Sequence, residues 1–356
     1  MTTTPRTRAL AAGAAITALS ALVSVACSAR AAAPPPDLSV KEIGSLHVGG
    51  RSVTLSGLPV RDGVTAPGVR PERIDPNGDF EVEQMYAQYV KLTKPRAKYP
   101  LLLAHGGGLT GVTYETKPDG GEGWQMFFLR AGYDVYVSDA VERGRASWAR
   151  FPEIFPSEPT TTTKKIAWET FRIGPLESYP TDPAKRRALP GTQFPTTAFD
   201  QFAKQFVPRW STTNRQIQAG YDALVQKICP CIVLVHSQGG NFGFTAALHA
   251  PDKIKALVAV EPVGTPAPEA ITPGLRSVPQ LVVWGDNVAL YPRWVEIKQR
   301  VERYEDALRR GGGHVEQIVL PEMGVKGNSH MMMMDRNSDA VAGIIERWME
   351  RQGLLR

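Results

Sequence analysis

The order of apolar and polar positions divides the chain into distinct stretches. Near the start, Leu46-His47-Val48 and Arg51 to Leu55 flank Gly49-Gly50. This pattern predicts a hairpin, because two glycines accept the positive φ angles of a tight primed turn. Asp75-Pro76-Asn77-Gly78 predicts another turn and Phe80 to Val90 a strand, so antiparallel strands are expected first. From Tyr99 the pattern becomes short apolar runs: Pro100 to Ala104, Tyr133 to Ser138, Ile232 to Val235, Ala256 to Val260, Gln280 to Trp284 and Glu316 to Leu320. Helical stretches separate them, among them Thr213 to Lys227, Trp294 to Arg310 and Asn337 to Gln352. That alternation predicts an α/β fold with a mostly parallel central sheet covered by helices. Between about Arg150 and Pro208 the rhythm breaks over nine prolines. A stretch that long predicts an insertion over the sheet, a cap at its carboxyl edge. Residues 37–356 are therefore expected to form one domain carrying that insertion.

Composition adds limits. With 356 residues, 42% of them hydrophobic and 21% charged, the chain can bury a core without staples. The net charge of +6 comes from scattered pairs such as Lys164-Lys165, Arg186-Arg187 and Arg309-Arg310. No basic stripe interleaves with aromatics, so a nucleic-acid partner is not expected. Arg6 and Arg8 precede an apolar run from Ala9 to Cys27, followed by Ala-Arg-Ala at 29–31 and a Pro-rich linker to Pro36. This predicts an export signal, hence a periplasmic or extracellular protein. Val25-Ala26-Cys27 resembles the end of a bacterial lipoprotein cleavage box, with Ser24 where Leu is usual, so a lipid anchor at Cys27 is the alternative to plain secretion. Cys229 and Cys231 flank Pro230 and are expected to be small buried residues at a strand entrance rather than a disulfide. No metal or cofactor is expected, and the oligomeric state is open between monomer and homodimer.

The chemistry begins at His236-Ser237-Gln238-Gly239-Gly240, between an apolar strand and a helix-compatible stretch. Strand, sharp turn and helix is the setting of a nucleophile elbow, and the tiny Gly239 and Gly240 suit its crowding, although Val235 stands where that motif carries its first glycine. Ser237 alone reads equally well as a helix cap. If it is a nucleophile, it needs an oxyanion hole. The amide of Gln238 is one candidate donor, and an amide of Gly106 or Gly107 in His105-Gly106-Gly107-Gly108 is the other. The base must be a histidine, and His330, in the loop after the last strand, fits the chain order of such sites. Two carboxylates end intervening strands, Glu261 and Asp286, and spacing alone does not choose between them. Tyr114, Trp124 and Met331 are candidates for the substrate pocket.

At this point the chain resembles the α/β-hydrolase superfamily, and within it a small group of atypical bacterial carboxylesterases whose triad acid follows the sixth strand. The matching runs include His105-Gly106 with Leu109-Thr110-Gly111, Gly144-Arg145, Thr192-Gln193-Phe194-Pro195, His236-Ser237-Gln238, Val260-Glu261-Pro262, Pro292-Arg293-Trp294 and Gly327-Asn328-Ser329-His330-Met331. The resemblance implies an α/β-hydrolase fold, a serine esterase acting on a small-molecule ester, Ser237 as nucleophile, His330 as base and Glu261 as acid. The group's characterised esterase carries a vicinal disulfide at the positions of Gly107 and Gly108, which this chain lacks. An amidase, lactonase or acyltransferase on the same triad, and a non-catalytic binding protein on a hydrolase scaffold, are the rival expectations.

Overall fold

The apolar runs fold as strands whose successive side chains enter opposite cores. In a computed structural model, which describes residues 37–356, Leu101, Leu103, Ile232, Leu234, Val258 and Val283 pack into one core. Leu102, Ala104, Val233, Val235, Leu257 and Val282 pack into the other. A strand covered on both faces has no solvent side, hence the absence of polar alternation. The export signal, the Pro-rich linker and Cys27 lie outside the described residues.

The strands are β1 (Val40–Leu55), β2 (Arg61–Gly63), β3 (Glu72–Ile74), β4 (Gly78–Leu92), β5 (Leu101–Ala104), β6 (Val135–Asp139), β7 (Cys231–His236), β8 (Ile254–Val260), β9 (Gln280–Trp284) and β10 (Val315–Val319). Eight of them form one sheet in the order β1-β4-β6-β5-β7-β8-β9-β10, while β2 and β3 pair separately. From β6 to β10 all neighbours are parallel, and β1 and β4 add an antiparallel edge. The helices are α1 (Trp124–Arg130), α2 (Lys164–Thr170), α3 (Phe199–Ala203), α4 (Asn214–Ile228), α5 (Gly239–His249), α6 (Pro273–Arg276), α7 (Pro292–Arg310) and α8 (Ser338–Arg351). No helix among the described residues is long and apolar enough to cross a membrane.

Two expectations need correcting. Gly49-Gly50 is not a turn: β1 runs through it and pairs with β4 along its whole length. Both glycines keep positive φ, and a Cβ on Gly50 would lie 2.8 Å from the Val82 carbonyl oxygen, so they serve a distortion inside a long strand. The turn is the longer connection between β1 and β4, where Asn77 N donates to Asp75 Oδ1 at 2.9 Å. The second correction is that Cys229 and Cys231 form a disulfide. They do sit buried at the entrance to β7, as expected, but the chain doubles back at Pro230 and brings their Cα atoms to 4.3 Å.

The long stretch between β6 and α4 is not structureless. It carries α2 and α3, and Trp168, Phe194, Phe199 and Phe202 bury their rings in the core continuous with the sheet. Its Gln193 N donates to the Gly327 carbonyl at 2.7 Å, and its Phe171 carbonyl accepts from His330 N at 2.9 Å. The insertion is thus bonded directly to the loop that bears His330.

Candidate active site

Ser237 sits where β7 turns into α5, with φ of 53°. A non-glycine residue held in the left-handed region needs a surrounding structure that over-determines it. Here Ser237 N donates to Val260 O at 3.0 Å, and its carbonyl accepts from Gly240 N at 3.0 Å and Val263 N at 3.1 Å. The neighbouring glycines are required by contact. A Cβ on Gly239 would lie 2.7 Å from the His105 carbonyl oxygen, and one on Gly240 2.6 Å from Pro262 Cβ.

The loop after β5 faces this turn. His105 Nε2 accepts from Ala140 N at 3.1 Å, which leaves the proton on Nδ1 to donate to the Gly106 carbonyl at 2.8 Å. Burial, helped by Arg143, lowers the His105 pKa to about 4, so the ring stays neutral in this role. Because N–H and C=O of a trans peptide point in opposite directions, the Gly107 amide is aimed away from His105. The amides of Gly106, Gly107 and Gln238 donate to no described residue. Farther along, Asp139 at the end of β6 accepts from Gly111 N at 2.7 Å and from Arg145 Nε at 2.8 Å. This carboxylate explains why the Leu109-Thr110-Gly111 and Gly144-Arg145 runs occur together.

Glu261 and His330 meet below. Glu261 follows β8 with φ of 45°, and its Oε2 accepts from His330 Nδ1 at 2.6 Å. Its Oε1 accepts from Gly285 N at 2.7 Å and from Arg172 Nη2. All three side chains are buried. Burial alone would raise the Glu261 pKa, but the Arg172 charge and the His330 hydrogen bond outweigh it and hold the carboxyl at about 2. Burial lowers the His330 pKa; Glu261 opposes the shift, while Arg172 and Arg293 reinforce it. The imidazole is clamped between Trp294 and His236, with ring centroids at 4.3 and 4.5 Å. His236 Nε2 donates to the His330 carbonyl at 3.0 Å. Buried Asp335 holds the preceding residues, accepting from Ser329 N at 2.8 Å, Ser329 Oγ at 2.7 Å and Asn328 Nδ2 at 3.0 Å.

Ser237, Gln238, Gly107 and His330 line one cavity of about 300 Å³ together with Thr162, Phe171, Arg209, Asn241, Arg293 and Trp294. The Ser237 hydroxyl and His330 Nε2 are not hydrogen bonded to each other, and neither has another described partner. A larger cavity of about 550 Å³, lined by Asp286, Leu290 and Glu302 among others, contains none of these groups and has no nucleophile–base pair.

Asp286 does not reach His330: its carboxylate accepts from Gly327 N at 2.8 Å and Asn287 N at 2.7 Å. Gly106 is buried and does not line the cavity, although a Cβ on it would lie 3.0 Å from Ser237 Cβ. The three pocket candidates belong to the core instead. Tyr114 Oη donates to the Ala104 carbonyl at 2.9 Å, Trp124 Nε1 to the Ser338 carbonyl at 3.1 Å, and Met331 is fully enclosed. Nothing in the residues around Arg172 marks it as part of the site. The signal available was physical: a carboxylate at a buried strand end needs a counter-charge, and a neutral histidine does not supply one.

No family model matches the chain. A solved bacterial esterase is 37% identical, with 90% of this chain and 98% of that one covered at a TM-score of 0.77. The probable secreted lipase phiG of a fungal species is 28% identical over 346 residues, 77% of this chain and 88% of the lipase. With this sheet order, this strand–turn–helix at Ser237 and that likeness, the chain belongs to the α/β-hydrolase superfamily, in the group of carboxylic ester hydrolases represented by the bacterial esterase.

Proposed function

We propose that this chain is an exported serine hydrolase that cleaves small carboxylic esters through an acyl-enzyme. The observation that carries the reading is the buried Glu261–His330 hydrogen bond of 2.6 Å beside a cavity that Ser237 also lines. Glu261 fixes the proton on Nδ1, so Nε2 presents a lone pair to the cavity. When an ester enters, Ser237 Oγ attacks the carbonyl carbon while Nε2 takes its proton; a catalytic hydrogen bond absent from an unliganded site forms on substrate binding. The amides of Gln238 and Gly107 hold the oxyanion, supported by the positive end of α5. The tetrahedral species collapses, the alcohol leaves with the proton from Nε2, and water repeats the sequence on the acyl-enzyme to release the carboxylic acid. The insertion acts as a cap, since its Thr162, Ile166, Thr170 and Phe171 line the cavity.

The names of the bacterial esterase and the secreted lipase support the bond type and the export. Ser237→Ala is expected to lower turnover of 4-nitrophenyl butyrate by at least about 10³-fold; undiminished turnover would refute the assignment. Mass analysis of the mature N-terminus distinguishes the two routes of export. A thioether lipid on Cys27 indicates anchoring, and an unmodified start at or after Ala32 indicates release.

A further inference from the structure

The charges around the cavity do not balance. Arg172 and Glu261 cancel each other beneath His330, and burial disfavours a charge on the imidazole. Arg209 and Arg293 both line the cavity, yet neither guanidinium makes a hydrogen bond or ion pair with a described residue. No carboxylate is among the cavity's lining residues. The two cations approach from different sides. Arg209 lies two residues after Val207, whose amide donates to the Gly108 carbonyl at 3.0 Å, on the side of the oxyanion loop. Arg293 precedes Trp294, whose ring packs on His330, on the side of the base. Arg293 also lies in the first turn of the 19-residue α7, where the helix dipole adds to its charge.

Arg209 is half-buried and Arg293 exposed; an unpaired arginine at such a position is ordinary, but two of them lining the cavity that Ser237 also lines, with no acid among the lining residues, form a recognition element for an anion. We infer that the preferred substrates are esters bearing a second, anionic group, a carboxylate or its equivalent, held by Arg209 and Arg293 while the ester carbonyl lies at Ser237. This inference rests on the esterase reading above and narrows its substrate class. The group is held by charge-assisted hydrogen bonds from a planar fork of donors, which a neutral ester of the same length cannot accept as strongly.

The test compares mono-4-nitrophenyl adipate with its methyl ester, which has nearly the same shape but no charge, as a ratio of kcat/KM at pH 7 and low salt. The expected ratio is about 10 in favour of the anion, falling toward about 1 in Arg209→Gln/Arg293→Gln and, for the unaltered protein, in about 0.5 M NaCl. The salt arm needs no variant, so it stands even if the double substitution impairs folding. Hydrolysis of both esters at equal or inverted ratio, unmoved by salt, would overturn the inference and leave the esterase reading intact. Hydrolysis of neither ester would overturn both.

Discussion

Replacing Arg172 with Met removes the charge that keeps Glu261 ionised inside the protein, and the cost can be worked from the carboxyl itself. Glu261 titrates at about 2 instead of its ordinary 4.5. That difference of about 2.5 pH units corresponds to roughly 3 kcal/mol of folding stability. A depressed carboxylate contributes this fully above pH 4.5 and loses it as pH falls through 2. In Arg172→Met the largest of the causes that hold the Glu261 pKa down is gone while the His330 hydrogen bond remains, so the pKa moves up and most of this contribution is lost. The variant is therefore expected to be less stable at pH 7 by up to roughly 3 kcal/mol, the lower end of the range for breaking a buried pair. The gap should close progressively below pH 4.5. Urea unfolding followed by tryptophan fluorescence, in a series from about pH 7 to about pH 3, reads this directly. A gap below about 1 kcal/mol at neutral pH, or one that does not narrow in acid, would show that the Arg172–Glu261 pair does not carry the charge balance described here.

Two further outcomes follow from the same geometry. Because burial and the two nearby arginines lower the His330 pKa, the acid limb of the kcat/KM profile should inflect below pH 6.5; an inflection at or above that value contradicts the electrostatics of the site. Glu261→Gln should reduce kcat by about 10³–10⁴-fold, whereas Asp286→Asn, which only loosens the loop at Gly327, should cost less than about tenfold; the reverse order of effects would move the acid to Asp286.

The parallel sheet and the elbow were legible because each leaves a local trace. Strands buried on both faces are short and continuously apolar, and the crowded turn beside Ser237 demands Gly239 and Gly240. Other features were hidden because distant pairings decide them. A positive φ at Gly49-Gly50 suits either a turn or a distorted strand, and only the register with β4 distinguishes them. Asp286 and Glu261 both end strands, and the choice is made by loops far away in sequence: Asp286 is engaged by Gly327 N, while Arg172 and Gly285 hold Glu261 toward His330. Arg172 lies within a proline-rich stretch with no periodic signal. Tyr114 and Trp124 flank the expected motifs in sequence, yet their polar atoms bond to the carbonyls of Ala104 and Ser338, which draws them into the core.

The proposed chemistry stands on Ser237 being a nucleophile activated by a histidine that Glu261 orients. It is tested most directly by reacting the folded protein with a fluorophosphonate and locating the adduct by peptide mass spectrometry. A single phosphonylated residue, Ser237, is expected, with labelling lost in Ser237→Ala and strongly slowed in Glu261→Gln. An unreactive native protein, or an adduct on any other residue, would contradict it.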